Sequence, residues 1–183
     1  YFSGISAYFP IADVLGRPIE DEKEGYNLNL ITYREIAQCK TRTATNYWLL
    51  GLLPENFILV NGEDAKKIGL KDGSEARVTS VSNPDGILDL KNGRKIPMIG
   101  KVKVTEGIRP GVIAFSLGHG NWATGSSHYN VDGKLIKGDS RRGKGIHCNP
   151  VMRIDAYLKN TCLLDLVGGS VSFYDTKVKL IRV

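Results

Sequence analysis

The chain has 183 residues, 42% of them hydrophobic and 24% charged, which is the composition of an ordinary folded domain and excludes a disordered tail. Its net charge of +6 suits a polyanionic ligand or an acidic neighbouring surface. No apolar run approaches the ~20 residues of a transmembrane helix, so direct membrane insertion is not expected.

The sequence begins at Tyr1-Phe2 with no initiator Met and no signal-peptide pattern, as in a piece cut from a longer protein. Residues 1–25 have no period and hold Pro10, Gly16, Pro18 and the acidic Glu20-Asp21-Glu22. They read as an extended lead-in from an upstream part of a parent chain, with a single domain over 26–183.

Leu28 to Tyr33 is a strand, and it breaks into a polar loop, Thr32 to Asn46, crowded with cations, hydroxyls and amides. Such a loop at a strand end is what a phosphate-bearing ligand with polar rings needs, and it is equally what a solvated loop looks like. Tyr47 to Leu53 reads as a short helix capped at Thr45 or Asn46 and stopped before Pro54.

Phe57 to Val60 is a second strand. It leads into a one-to-two-turn helix from Asn61 that ends at Gly69, where Asn61 and Asp64 serve as caps and Asp72-Gly73 as a turn. Strands follow at Glu75 to Val81, around Lys101 to Val104, at Val112 to Leu117 and at Thr176 to Val183, with Gly-rich turns between them. Residues 118–150 are rich in Gly, Ser, Asn, His and basic residues and offer only Val131 to Ile136 as a short strand. Many short strands with one or two short helices predict a mainly β fold, a small barrel with long loops.

Cys39, Cys148 and Cys162 are an odd set without close spacing, so no metal site is expected in this chain. His119 lies between two glycines in Gly118-His119-Gly120-Asn121-Trp122, where a backbone can approach a ligand. His128 and His147 stand isolated and read as surface or loop residues. The run Lys134, Lys137, Arg141, Arg142 and Lys144 reads as a solvated or subunit-facing loop.

Three ordered elements carry a resemblance: Leu30/Thr32/Arg34, then Asn61/Asp64/Ala65/Gly69/Asp72/Gly73/Val78, then Thr105/Ile108/Pro110/Gly111/Val112 before Gly118/His119/Gly120. From Tyr26 to Val183 the chain resembles the C-terminal molybdopterin-dinucleotide-binding domain of the dimethyl-sulfoxide-reductase superfamily. Its tail, from Leu158, looks most like the catalytic subunits of tetrathionate reductases. The resemblance implies a six-stranded double-psi β-barrel that holds bis(molybdopterin guanine dinucleotide) with molybdenum or tungsten, in a parent that reduces a sulfur or arsenic oxyanion such as tetrathionate. It also implies iron–sulfur clusters and the metal-ligating residue upstream, an iron–sulfur electron-transfer partner protein, an extracytoplasmic parent, and no catalytic residue within this stretch.

By position, the resemblance assigns cofactor contacts to Thr32, Arg34, Glu35, Gln38, Thr41, Thr43, His119, Asn121, Trp122 and Asn149. Glu35 could instead pair with Arg34 or Lys40. A freestanding cofactor-binding subunit of the formylmethanofuran dehydrogenase type is the alternative. A basic barrel for nucleic acid lacks the interleaved aromatics that single-strand readers use.

Overall fold

A computed structural model describes residues 4–5, 7–122, 125–165 and 168–183. The first three residues of the expected lead-in, Ser6, Ala123-Thr124, and Leu166-Val167 of the tail lie outside the described residues.

Strand β1 (Leu28–Tyr33) buries every second side chain, as its alternating sequence requires. The polar loop then leads to helix α1 (Tyr47–Leu52), where Asn46 accepts from the Trp48 and Leu49 amides. Strand β2 (Phe57–Val60) runs into helix α2 (Gly62–Ile68), capped by Asn61 and closed by Gly69 in the left-handed region at φ 75°. Strands β3 (Glu75–Ser80), β4 (Ile87–Asp89), β5 (Lys95–Pro97), β6 (Ile99–Val104), β7 (Val112–Ser116), β8 (Tyr129–Val131), β9 (Lys134–Ile136) and β10 (Lys177–Arg182) complete the chain.

Six of these close into a barrel in the order β1-β10-β3-β6-β2-β7. The β1–β7 and β2–β6 pairs are parallel and the other four are antiparallel. Exchanging β1, β2, β3 with β6, β7, β10 in that order reproduces the same neighbours and the same directions. The barrel is therefore two interlocked copies of one three-strand crossing, the double-psi arrangement. Its interior is filled by Leu30, Ile58, Val60, Val78, Val102, Ile113, Phe115 and Val178, all but sealed from solvent.

Two hairpins stand outside the barrel, β4–β5 and β8–β9. Val131 to Ile136, read from sequence as one short strand, is instead the turn and return arm of a hairpin. Asp132 and Gly133 adopt φ 49° and 76°, the two positive values that a tight two-residue turn demands.

Residues 7–25 lie against the barrel domain. The Val14 amide donates to Asp155 Oδ2 at 2.8 Å, and Arg153 Nε meets Asp21 Oδ2 at 2.8 Å with both side chains largely buried.

Candidate functional site

Parallel pairing decides which loops meet. Tyr33 lies opposite Ser116 at the ends of β1 and β7, so both chains leave the barrel at the same end. Strand β2 runs against β7, which brings Asn56, just before it, to that end as well.

Asn56 is the hub. Its Nδ2 donates to the Ser116 carbonyl at 2.7 Å and to the Ile146 carbonyl at 2.9 Å, and its Oδ1 accepts from the Ile146 amide at 3.0 Å. One buried amide thus fastens the segment around Ile146 to the barrel rim, which satisfies three backbone groups that water cannot reach.

Two glycines draw the loops together. A β-carbon on Gly118, at φ 104°, would lie 2.5 Å from the Lys40 carbonyl oxygen. One on Gly120, at φ 67°, would lie 2.6 Å from the Ile146 backbone. Residues 38–43, 117–121 and 146–149 thereby enclose a cleft of about 390 Å³. Its lining is polar at Lys40, Thr41, His119, Asn121, His147 and Asn149 and apolar at Leu117, Cys148 and Phe173.

The electrostatics are unbalanced in a useful way. Arg34, Lys40 and Arg42 are exposed and form no ion pair among the described residues. His119 is buried, and burial holds its imidazole below the ordinary histidine range, so the ring is neutral at pH 7. Burial lowers His147 in the same way. The Nε2 of His119 lies 3.2 Å from the Leu53 carbonyl, while its Nδ1 is buried with no partner among the described residues. The Thr43 hydroxyl donates to Gln38 Oε1 at 2.6 Å, and Gln38 Nε2 is likewise buried and unpartnered.

The opposite end shows what a finished barrel end looks like. There β2 and β6 are the parallel pair, Val60 opposite Val104, and α2 follows β2 with Ala65 packed into the core. Asn61 Nδ2 donates to the Ile108 carbonyl at 2.8 Å and Asp64 Oδ2 accepts from the Gly111 amide at 2.6 Å. Asn61 caps α2 as expected, whereas Asp64, expected as a second cap, lies inside the helix and instead ties it to the Gly111 turn.

Of the residues assigned from sequence, Thr41, His119, Asn121 and Asn149 line the cleft. Gln38 and Thr43 form the bonded pair beside it. Arg34 and Glu35 open the loop, and Glu35 faces the Tyr33 hydroxyl rather than pairing with Arg34 or Lys40. Thr32 is buried in β1 opposite Phe115, as part of the barrel wall. Trp122 is absent from the lining: Arg94 stacks on its ring at 4.5 Å and Gly143 gives it room from another side. Sequence reading missed Asn56, His147, Cys148 and Phe173. The only local signals were an amide directly before an apolar strand and a His two residues before Asn149.

The basic run is only partly solvated. Arg141 pairs with Asp139 at 2.6 Å, which holds that carboxyl well below the usual range, and Arg142 donates to the Tyr47 hydroxyl at 2.9 Å.

Burial, and then the Glu35 carboxylate, push the Tyr33 hydroxyl up to about 12. The unfolded chain loses this proton near pH ~10, so the stability it reflects is whole below that pH and drains away as pH rises to about 12. Thermal melts from pH 9 to 12 are expected to fall less steeply for Tyr33→Phe than for the unaltered chain. Parallel curves would remove this role.

Residues 28–86 match the family described as "Molydopterin dinucleotide binding domain". A selenate reductase subunit from Mesobacillus selenatarsenatis is 46% identical over 184 aligned residues, which take in 100% of this chain and 17% of that protein. The chain belongs to the molybdopterin-dinucleotide-binding domains of the dimethyl-sulfoxide-reductase superfamily. A tetrathionate reductase subunit from Salmonella typhimurium is 26% identical, again across 100% of this chain and 17% of its own length. The chain therefore spans about a sixth of these curated relatives. Acetylene hydratase from Pelobacter acetylenicus superposes with a TM-score of 0.61 over 97% of this chain and 21% of that one, at 16% identity, which shows a shared fold. The family pattern falls on both ends of this barrel: Leu30, Thr32 and Arg34 lead to the open cleft, and Asn61 to Gly73 build the closed end.

Proposed function

We propose that the chain is the part of a molybdenum or tungsten oxidoreductase that holds bis(molybdopterin guanine dinucleotide), with Arg34, Gln38, Thr41, Thr43, His119, Asn121 and Asn149 as its contacts. The observation that carries this is the incomplete barrel end. Beside a cleft lined by Lys40, Thr41, His119, Asn121 and Asn149, the His119 Nδ1 and Gln38 Nε2 are buried with no partner among the described residues, and Arg34, Lys40 and Arg42 form no ion pair there. Buried polar atoms are rarely left unpaired without a partner to come.

The residues present fit that group. Phosphates call for cations and hydroxyls, which Arg34, Lys40, Arg42 and Thr41 provide. Polar rings call for paired donors and acceptors in a dry cleft, which Gln38, His119, Asn121 and Asn149 provide. When bound, the group supplies a metal for two-electron reduction or oxygen-atom transfer. The chain's own work is to bind, orient and shield it. Neutral His119 and His147 add no charge to the cleft lining, and Lys40 supplies its cation toward a phosphate.

The parent's substrate is proposed as an oxyanion of sulfur, selenium or arsenic, supported by the names of the selenate and tetrathionate reductase relatives. Upstream domains with an iron–sulfur cluster, and an iron–sulfur partner protein, would deliver the electrons.

Changing Arg34 to Ala in the full-length protein tests the reading. Loss of one charge-assisted contact is worth about 1.5–3 kcal/mol, so cofactor retention after dialysis is expected to drop about tenfold or more. Cofactor content and activity both at the unaltered level would refute the assignment.

A further inference from the structure

Helix α1 contains a glycine that nothing among the described residues explains. Gly51 sits in its last turn, outside the left-handed region, and a β-carbon built on it meets no atom within 4 Å. Glycine weakens a helix, so an open site of this kind suits a close backbone approach from outside the described residues. The side chains beside it are as little used. Trp48 is 88% exposed and Leu52 74%, and four residues apart they share one face of the helix.

Gly51 also lines a pocket of about 160 Å³, together with Tyr47, Leu50, Pro54, Arg141 and Lys144. Small-molecule sites run to about 300 Å³ or more, so this one takes a single side chain rather than a free ligand. The Tyr47 ring holds the two walls together: Arg141 stacks on it at 4.6 Å, and its hydroxyl donates to Asp139 at 2.9 Å. Asp139 neutralises Arg141, whereas Lys144 is exposed and forms no ion pair among the described residues.

We propose that this face of α1 is an interface with another part of the same parent polypeptide, and that the segment seated there is acidic. A glutamate or aspartate side chain enters the pocket, its carbon stem against Leu50 and Pro54 and its carboxylate toward Lys144, while its backbone passes close over Gly51. Charge complementarity selects the chemistry: residues 36–54 hold two cations and no carboxylate, and residues 139–144 hold three cations against Asp139 alone. Size selects the occupant. A helix of 6 residues and one loop fall short of the ~800 Å² per partner that a stable complex between separate proteins buries. A tethered neighbour needs less, because the tether supplies its effective concentration. The matched stretch is 17% of the selenate and tetrathionate reductase relatives, so a parent built as they are supplies such a neighbour. None of the pocket residues lines the cleft, and the proposal does not depend on what the cleft binds.

The test is hydroxyl-radical footprinting of the full-length protein, read by mass spectrometry at Trp48. Trp48 is expected to oxidise about fivefold or more slowly in the native protein than in the urea-unfolded one, as a side chain sealed in an interface does. Gly51→Gln fills the opening and favours the helix, so it folds. Lys144→Glu reverses the charge that meets the carboxylate. Each is expected to bring Trp48 oxidation to within about twofold of the unfolded rate, and Lys144→Arg to keep the protection. Trp122, under Arg94 at 4.5 Å, is expected to oxidise equally in all variants and so reports an intact domain. Trp48 as reactive in the native protein as in the unfolded one overturns the proposal. So does protection that survives both Gly51→Gln and Lys144→Glu, because whatever covers Trp48 then ignores the pocket. Protection seen only with phosphatidylglycerol vesicles, or only with a separate protein bound, also overturns it and assigns the face to lipid or to another chain.

Discussion

Asn56→Leu is expected to melt about 10 °C below the unaltered chain and to lose ligand binding at the cleft. The change keeps the branched outline with bulkier methyl groups and removes three hydrogen bonds, which strands the Ser116 carbonyl and both backbone groups of Ile146 away from water. Each stranded group costs about 1–3 kcal/mol, and part of that is recovered as the segment around Ile146 peels off. A net loss of about 3–5 kcal/mol corresponds to roughly 10 °C for a chain of this size. Binding fails for a separate reason: His147 and Asn149 line the cleft only while that segment is held. Asn56→Asp is the informative companion, because it retains the acceptor for the Ile146 amide and sets a carboxylate against two carbonyls. A melting point within 2 °C of the unaltered chain (an experimental tolerance of about that size) for Asn56→Leu would show that the amide is not the fastening.

The second large effect is expected at Gly118, and there binding should suffer more than folding. An added methyl would stand 2.5 Å from the Lys40 carbonyl oxygen, in a backbone conformation of φ 104° that side chains resist. The loop carrying Gln38, Lys40 and Thr41 must move out, and the cleft loses its register. Misplacement by about 1 Å is enough for a hundredfold loss where several contacts must be met together. Gly93 supplies the control. It has φ 86° with nothing within 4 Å of its β-carbon position, so Gly93→Ala carries the conformational cost alone, about 1 kcal/mol, at a residue that does not line the cleft. Cofactor retention that falls equally little in both variants would mean that the loop contact does not shape the site.

How much of this could be read in advance follows from the range of the forces. Leu28 to Tyr33 and Phe57 to Val60 were legible to the residue, because alternation and flanking turns are local. So were the Asn61 cap and the left-handed Gly69. Barrel closure was not legible from period alone, since pairing Asn29 with Val112 is decided by packing across the whole chain; the resemblance supplied it. Outside the short β8–β9 hairpin the stretch 118–150 has no period because no ladder holds it. It is held by Asn56, from just before β2, and by close glycine contacts of Gly118 with 38–40 and of Gly120 with 146–147. His147 looked isolated for the same reason: its neighbours in space lie more than twenty residues away. Trp122 sat in the right loop, and a cation on another hairpin, Arg94, claims it.

The repeated strand crossing has a consequence for how such a domain can diverge. One blueprint is drawn twice, and on the proposed reading only one copy carries the ligand's vocabulary. The copy under α2 is tied by the Asn61 and Asp64 bonds and answers for cohesion. The other, on the same reading, answers for selectivity. Residues 34–43 and 117–121 can therefore be rewritten for another heterocycle or another phosphate without renegotiating the staves that hold the barrel shut.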